Sequence, residues 1–87
     1  MALQEQAQQL IARWIEPHPR KGSAAEARLK DAKIAVWAIV GQLRAEGRDV
    51  PRVAEDYGIP VETVEAALAY YHQHRAVIDD RLRANGG

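Results

Sequence analysis

Apolar residues recur at helical spacing over most of the chain. Between residues 2 and 16, Leu3, Ala7, Leu10 and Trp14 share one stripe, and Ile11 and Ile15 widen it. Gln4, Glu5, Gln6, Gln8 and Gln9 occupy the opposite side. This pattern predicts an amphipathic N-terminal helix. Its stripe has two destinations, the chain's own core or the groove of a partner. Trp14 is the kind of side chain that anchors an interface. Pro17-His18-Pro19 ends the helix, because each proline disfavours helical geometry in the residue before it. His18, set between prolines, is expected in solvent. Ser23, followed by Glu26, predicts a short turn over Ala24–Leu29 closed by a capping box. Leu29 and Ile34 are then the apolar points of an extended or partly helical connector.

Regular spacing resumes at residue 35. Val36, Trp37, Ile39, Val40 and Leu43 make the stretch Ala35–Ala45 apolar around most of its circumference, as expected of a central buried helix. Gly41 marks a close crossing with another helix, and Gly47 ends the segment. Arg44 stands near its end, where the helix dipole favours a cation. Asp49 can cap a following helix, Val50–Tyr57, and Pro51 suits its first turn. Gly58 can take the left-handed conformation that ends a helix, Pro60 prevents continuation, and a second helix starts near Val61. Val53, Ala54, Tyr57, Ile59, Val64, Ala67 and Leu68 supply its contacts. Val61, Glu62, Thr63, Glu65, Ala66 and Ala69 are read as outward. The unit is a helix-turn-helix over about Val50–His74. Beyond it, Val64, Leu68, Tyr71, Arg75, Ile78 and Leu82 fit either one long helix to about Ala84 or a helix broken near His74. Tyr71 is expected to pack inward, Tyr70 either to pack or to present its hydroxyl, and Asn85-Gly86-Gly87 to fray.

The fold class is therefore all-α: a small helical domain with a helix-turn-helix, a central buried helix and an amphipathic N-terminal helix. Residues 1–16 form that helix, 17–33 a basic loop and connector, and 34–87 the helix-turn-helix core. A chain of 87 residues makes one small domain with a modest core, which pairing into a homodimer would help to stabilise. Composition is that of an ordinary globular protein, with 47% hydrophobic and 28% charged residues. There is no cysteine, so disulfides and cysteine zinc sites are excluded. No apolar run approaches membrane length and no signal-peptide pattern opens the chain, so a cytoplasmic protein is expected.

Charge changes the reading of the helix-turn-helix. Net charge is zero, which argues against a general nucleic-acid coat. Residues 16–33 nevertheless hold five Lys or Arg against three acids, while residues 49–65 hold one Arg against five acids. DNA binding is driven by phosphate neutralisation, and Arg or Lys makes the commonest base contact. The second helix opens with Glu62 and Glu65 instead. Phosphate contacts would thus fall to Arg20, Lys21, Arg28, Lys30, Lys33 and Arg52, with Thr63 the residue able to reach a base. Trp14, Tyr70, Glu62 and Glu65 are the candidates for a protein partner. Catalytic signals are poor. There is no glycine-rich phosphate loop and no metal-binding helix motif. His72 and His74 point to different sides of a helix, as do Asp79 and Asp80. No enzyme activity, metal or cofactor is expected.

The run Leu29-Lys30-Asp31-Ala32-Lys33-Ile34-Ala35-Val36-Trp37, followed by EDYGIPVETVEAALAYYHQHRAVIDDRL, resembles the bacterial antitoxin-like proteins of domain-of-unknown-function family 433. Ala67-Leu68-Ala69-Tyr70-Tyr71 and Ile78-Asp79 carry the resemblance, which spans roughly residues 28–83. Asp31 stands where that family prefers glycine, and Lys33 where it prefers arginine. The resemblance implies a small, helical, dimeric antitoxin. Such a protein sequesters a toxin with a PIN-like nuclease fold and can bind its own operator. A dimeric helix-turn-helix DNA-binding regulator, and a homodimeric scaffold with no nucleic-acid role, are the competing readings.

Overall fold

The computed structural model describes residues 2–85, and their side chains from Glu5 onward. The expected positions of Leu3 and Gln4 on the first helix, and the fraying expected at Gly86-Gly87, lie outside the described residues. Among the described residues there are five α-helices, one 3₁₀ turn and one short two-stranded ribbon.

Helix α1 (Ala2–Trp14) stops two residues before the expected end at residue 16. Ile15 and Glu16 instead form strand β1, which pairs antiparallel with β2 (Arg28–Leu29), setting Ile15 opposite Leu29 and Glu16 opposite Arg28. Pro17 explains the change, since it pushes Glu16 into extended geometry. Ile15 and Leu29 are both buried, and the Arg28 Nε donates to Glu16 Oε2 at 2.7 Å across the pair. Part of the expected connector is therefore a built β-ribbon. Between the strands, Ser23 caps a 3₁₀ turn (Ala24–Glu26) by accepting from the Ala25 N–H at 3.1 Å. Glu26 does not complete a capping box. Its carboxylate accepts from Arg81 Nε at 2.8 Å, an ion pair that ties the turn to the last helix.

Helix α2 (Val36–Ala45) is the central helix, with Val36 and Ile39 fully buried and Val40 and Leu43 nearly so. Helix α3 (Val50–Tyr57) begins as its sequence dictates: Asp49 accepts from the Arg52 N–H at 3.1 Å, and Pro51 occupies the first turn. Gly58 ends it at φ 66°, and the Ile59 N–H returns to the Ala54 carbonyl at 3.0 Å. That turn delivers Ile59 to the core and Pro60 to the head of α4 (Val61–Gln73). A break at His74, φ −130°, separates α4 from α5 (Arg75–Ala84), so of the two forms expected for this segment the broken one is present. The His74 ring stacks on Tyr70, with centroids 4.3 Å apart.

Helix α4 packs against α1, α2 and α3 and is the best-enclosed element. Val64, Ala66 and Ala67 have no exposed surface. Helix α5 crosses α2 at Gly41, where a Cβ would stand 3.2 Å from a Leu82 methyl. That space is too small for a branched side chain. Replacing Gly41 with Val is expected to lower the unfolding free energy by about 1–3 kcal/mol, read from urea denaturation, as overpacked crossings do.

Candidate functional site

The residues expected to contact DNA divide between Arg28 and Lys33, which meet on the Glu16 carboxylate, and Thr63, which is buried. Thr63, assigned above to a base, is only 4% exposed, and its hydroxyl has no hydrogen-bond partner among the described residues. Ala66, also read as outward, is fully buried. A two-helix pattern says nothing of the other elements that pack on α4: α1 lies along it, with Gln8 donating to Gln73 at 3.0 Å, and β1 touches it as well. The cations are largely engaged as well. Arg28 and Lys33 both bind Glu16 Oε2, at 2.7 and 3.0 Å, and hold the Glu16 carboxyl below its usual range, Lys33 most strongly. The Lys30 ammonium donates to the Ala12 carbonyl. Arg52 Nε lies 3.0 Å from Glu46 Oε1. Arg20 and Lys21 remain on the exposed loop, Lys21 within 3.9 Å of Glu26.

Two of the expected partner contacts, both partly buried, also make contacts within the chain. Trp14 is half-buried and packs on the chain's own core, with the Arg13 guanidinium 5.1 Å from its ring. The Tyr70 hydroxyl donates to the Ala24 carbonyl at 2.7 Å, and burial pushes its pKa up. Glu62 and Glu65 are exposed, as expected. His18 is partly buried, and its Nδ1 accepts from the Arg20 N–H at 3.0 Å.

A different cluster forms where the C-terminal ends of α2 and α4 meet α5. Arg44 Nη2 donates to the Tyr71 hydroxyl at 2.7 Å, the Tyr71 hydroxyl donates to Asp79 Oδ1 at 2.9 Å, and Arg44 also pairs directly with Asp79. The hydrogen bond from Arg44 holds the Asp79 carboxyl below its ordinary value, and Asp79 raises that of Arg44. The guanidinium groups of Arg44 and Arg75 lie 5.5 and 5.7 Å from the Tyr71 ring. Beside this network is a cleft of about 120 Å³, floored by Val40, Leu43 and Leu68 and rimmed by Arg44, Arg48, Tyr71 and His72. Arg48 adopts φ 66°, a left-handed conformation uncommon outside glycine. Three separate elements supply these groups, so no local spacing announces them. Asp79 in particular is distinguished from Asp80 only by the direction in which α5 leaves the break at His74.

A family model described as a protein of unknown function, DUF433, matches residues 23–71. Neither the curated proteins nor the solved structures contain a match. The matched segment runs from the Ser23 cap to Tyr71, so α1, β1 and α5 lie outside it. No helix among the described residues is long and apolar enough to cross a membrane.

Two outcomes test this geometry. Removing the unpartnered hydroxyl by Thr63→Val is expected to stabilise the fold by about 1 kcal/mol in urea denaturation, because a buried polar group without a partner costs about that much. A base-reading Thr63 in solvent would show no such gain. The Asp79 carboxyl has a lowered pKa when folded, so its pairing stabilises the protein above the ordinary carboxylate range. That contribution is lost as pH falls through the lowered value. Wild type should therefore exceed Asp79→Asn in urea midpoint near neutrality, and the two should converge only as pH falls below the ordinary carboxylate range.

Proposed function

The chain belongs to the DUF433 family of proteins of unknown function, and from that premise we propose that it is a cytoplasmic, homodimeric antitoxin that neutralises a PIN-like nuclease. One observation carries the reading: the exposed carboxylates of the α3–α4 unit are unpaired. Glu55, Asp56, Glu62 and Glu65 are all exposed, and none forms an ion pair with Lys or Arg among the described residues. The Lys and Arg side chains elsewhere are mostly paired within the chain. A surface so sorted complements a cationic partner, and the RNA-cleaving face of a nuclease is cationic because it must hold phosphates. The role is one of covering, and it asks for no catalytic group on this chain.

Operator binding is the secondary role in this proposal, and it falls to Arg20 and Lys21, the sequence candidates whose charges stay on the open loop. A dimer would present two such loops. The burial of Thr63 supports reading protein contact ahead of base contact.

The test pairs the purified chain with the PIN-like nuclease encoded by the same host and follows cleavage of a labelled RNA. The wild-type chain should suppress cleavage, and the effect should weaken as salt rises. Reversing Glu55 and Asp56 to Lys should raise the concentration needed by about tenfold or more, as charge pairs at interfaces do. Full cleavage at saturating wild-type chain would exclude the antitoxin role for that nuclease.

A further inference from the structure

Helix α4 keeps one face in solvent. Val61, Glu65, Leu68, Ala69 and His72 follow one another at the spacing of a single helical stripe, opposite the buried Thr63, Val64, Ala66 and Ala67. Val61 is 41% exposed, one of two large apolar side chains in solvent together with Val77 on α5. The stripe is electrically polarised. Its N-terminal end carries Glu62 and Glu65, and its C-terminal end carries His72 and neighbours Arg48 and Arg75, with Arg44 beside them already paired to Asp79. The 120 Å³ cleft opens at that cationic end, with its apolar floor of Val40, Leu43 and Leu68.

Such a stripe complements itself when reversed. Laid antiparallel on a second copy, the acidic end of each α4 meets the cationic end of the other, twice by the twofold axis. We propose that α4 pairs antiparallel with α4 of a second copy of this chain, seating Val61 of each in the Arg44–Arg48–His72 cleft of the other. This inference rests on the homodimer reading above and names its interface. The register follows from the spacing: with Val61 opposite His72 of the second copy, Glu65 stands opposite Leu68, next to the cleft. There Arg48 supplies the partner that Glu65 lacks. Neither residue has an ion-pair partner in its own chain among the described residues. Ala69 is small enough for the two helices to approach closely. The contact is isologous, so it closes at two copies instead of propagating into a filament. Glu55 and Asp56 sit on α3, a different helix, and remain for the nuclease.

Sedimentation equilibrium of the full chain tests the interface. Wild type should be a dimer. Glu65→Arg and Arg48→Asp, the latter chosen because Asp tolerates left-handed φ, should each raise the dimer dissociation constant by about tenfold or more. The double variant should recover to within about threefold of wild type, since the pair is restored with its charges exchanged. Because the chain has no cysteine, a mixture of Val61→Cys and His72→Cys chains should also cross-link through a short bismaleimide. A wild type that stays monomeric would overturn the homodimer reading together with this interface. A dimer indifferent to both single charge changes, or a mixture that gives no cross-linked pair, would overturn the interface and leave the homodimer standing.

Discussion

Ala66 and Ala67 lose all their exposed surface, and the rest of the molecule is arranged around that burial. Two adjacent alanines on one helix point to different sides of it. Here they let α4 be approached closely from more than one direction, by α1 and by the α2–α3 pair. Larger side chains at both positions would force α1 away from α4 and open the interior near Ile15. The enclosure of α4 also decides what the protein can present outward, because only the narrow stripe from Val61 to His72 is left in solvent.

The electrostatics follow the same logic. The molecule carries equal numbers of basic and acidic residues, yet they are not sorted equally. Glu16, Glu26, Glu46 and Asp79 each hold an arginine that links separate parts of the fold. Those bridges tie β1 to β2, the 3₁₀ turn to α5, α2 to α3, and α2 to α5. Of the carboxylates left without cations among the described residues, Glu5 and Asp31 lie elsewhere, and Asp49, Glu55, Asp56, Glu62 and Glu65 belong to the helix-turn-helix. Structural pairing thus consumes basic charge and leaves most of the acidic remainder on one unit, which gives a neutral chain a directional surface.

Local chemistry made much of this fold legible. The Asp49 cap, Pro51 in the first turn and Gly58 at the helix end each act through one or two neighbouring residues, and each is found where the sequence places it. The N-terminal stripe and the apolar segment around Ile39 were likewise readable from spacing. The β-ribbon was not, because two residues per strand show no alternation to detect, and its pairing depends on bringing Ile15 to Leu29. Thr63 was misplaced because periodicity says which residues share a face, but not whether another part of the fold covers that face. The Arg44–Tyr71–Asp79 network lay beyond any such reading, since it is assembled from three helices.

Helix α1 lies outside the segment that defines the family, yet it shields a stripe of α4 that lies within it. This couples the histories of the two segments. A relative without this N-terminal helix would expose the α4 positions that α1 covers here, and small apolar residues there would no longer be suited to their surroundings. Residues at those positions are therefore expected to change in step with the presence or absence of the N-terminal helix. Whether a given relative carries alanine or a charged residue at the position of Ala66 becomes a readable mark of which of the two architectures it has inherited.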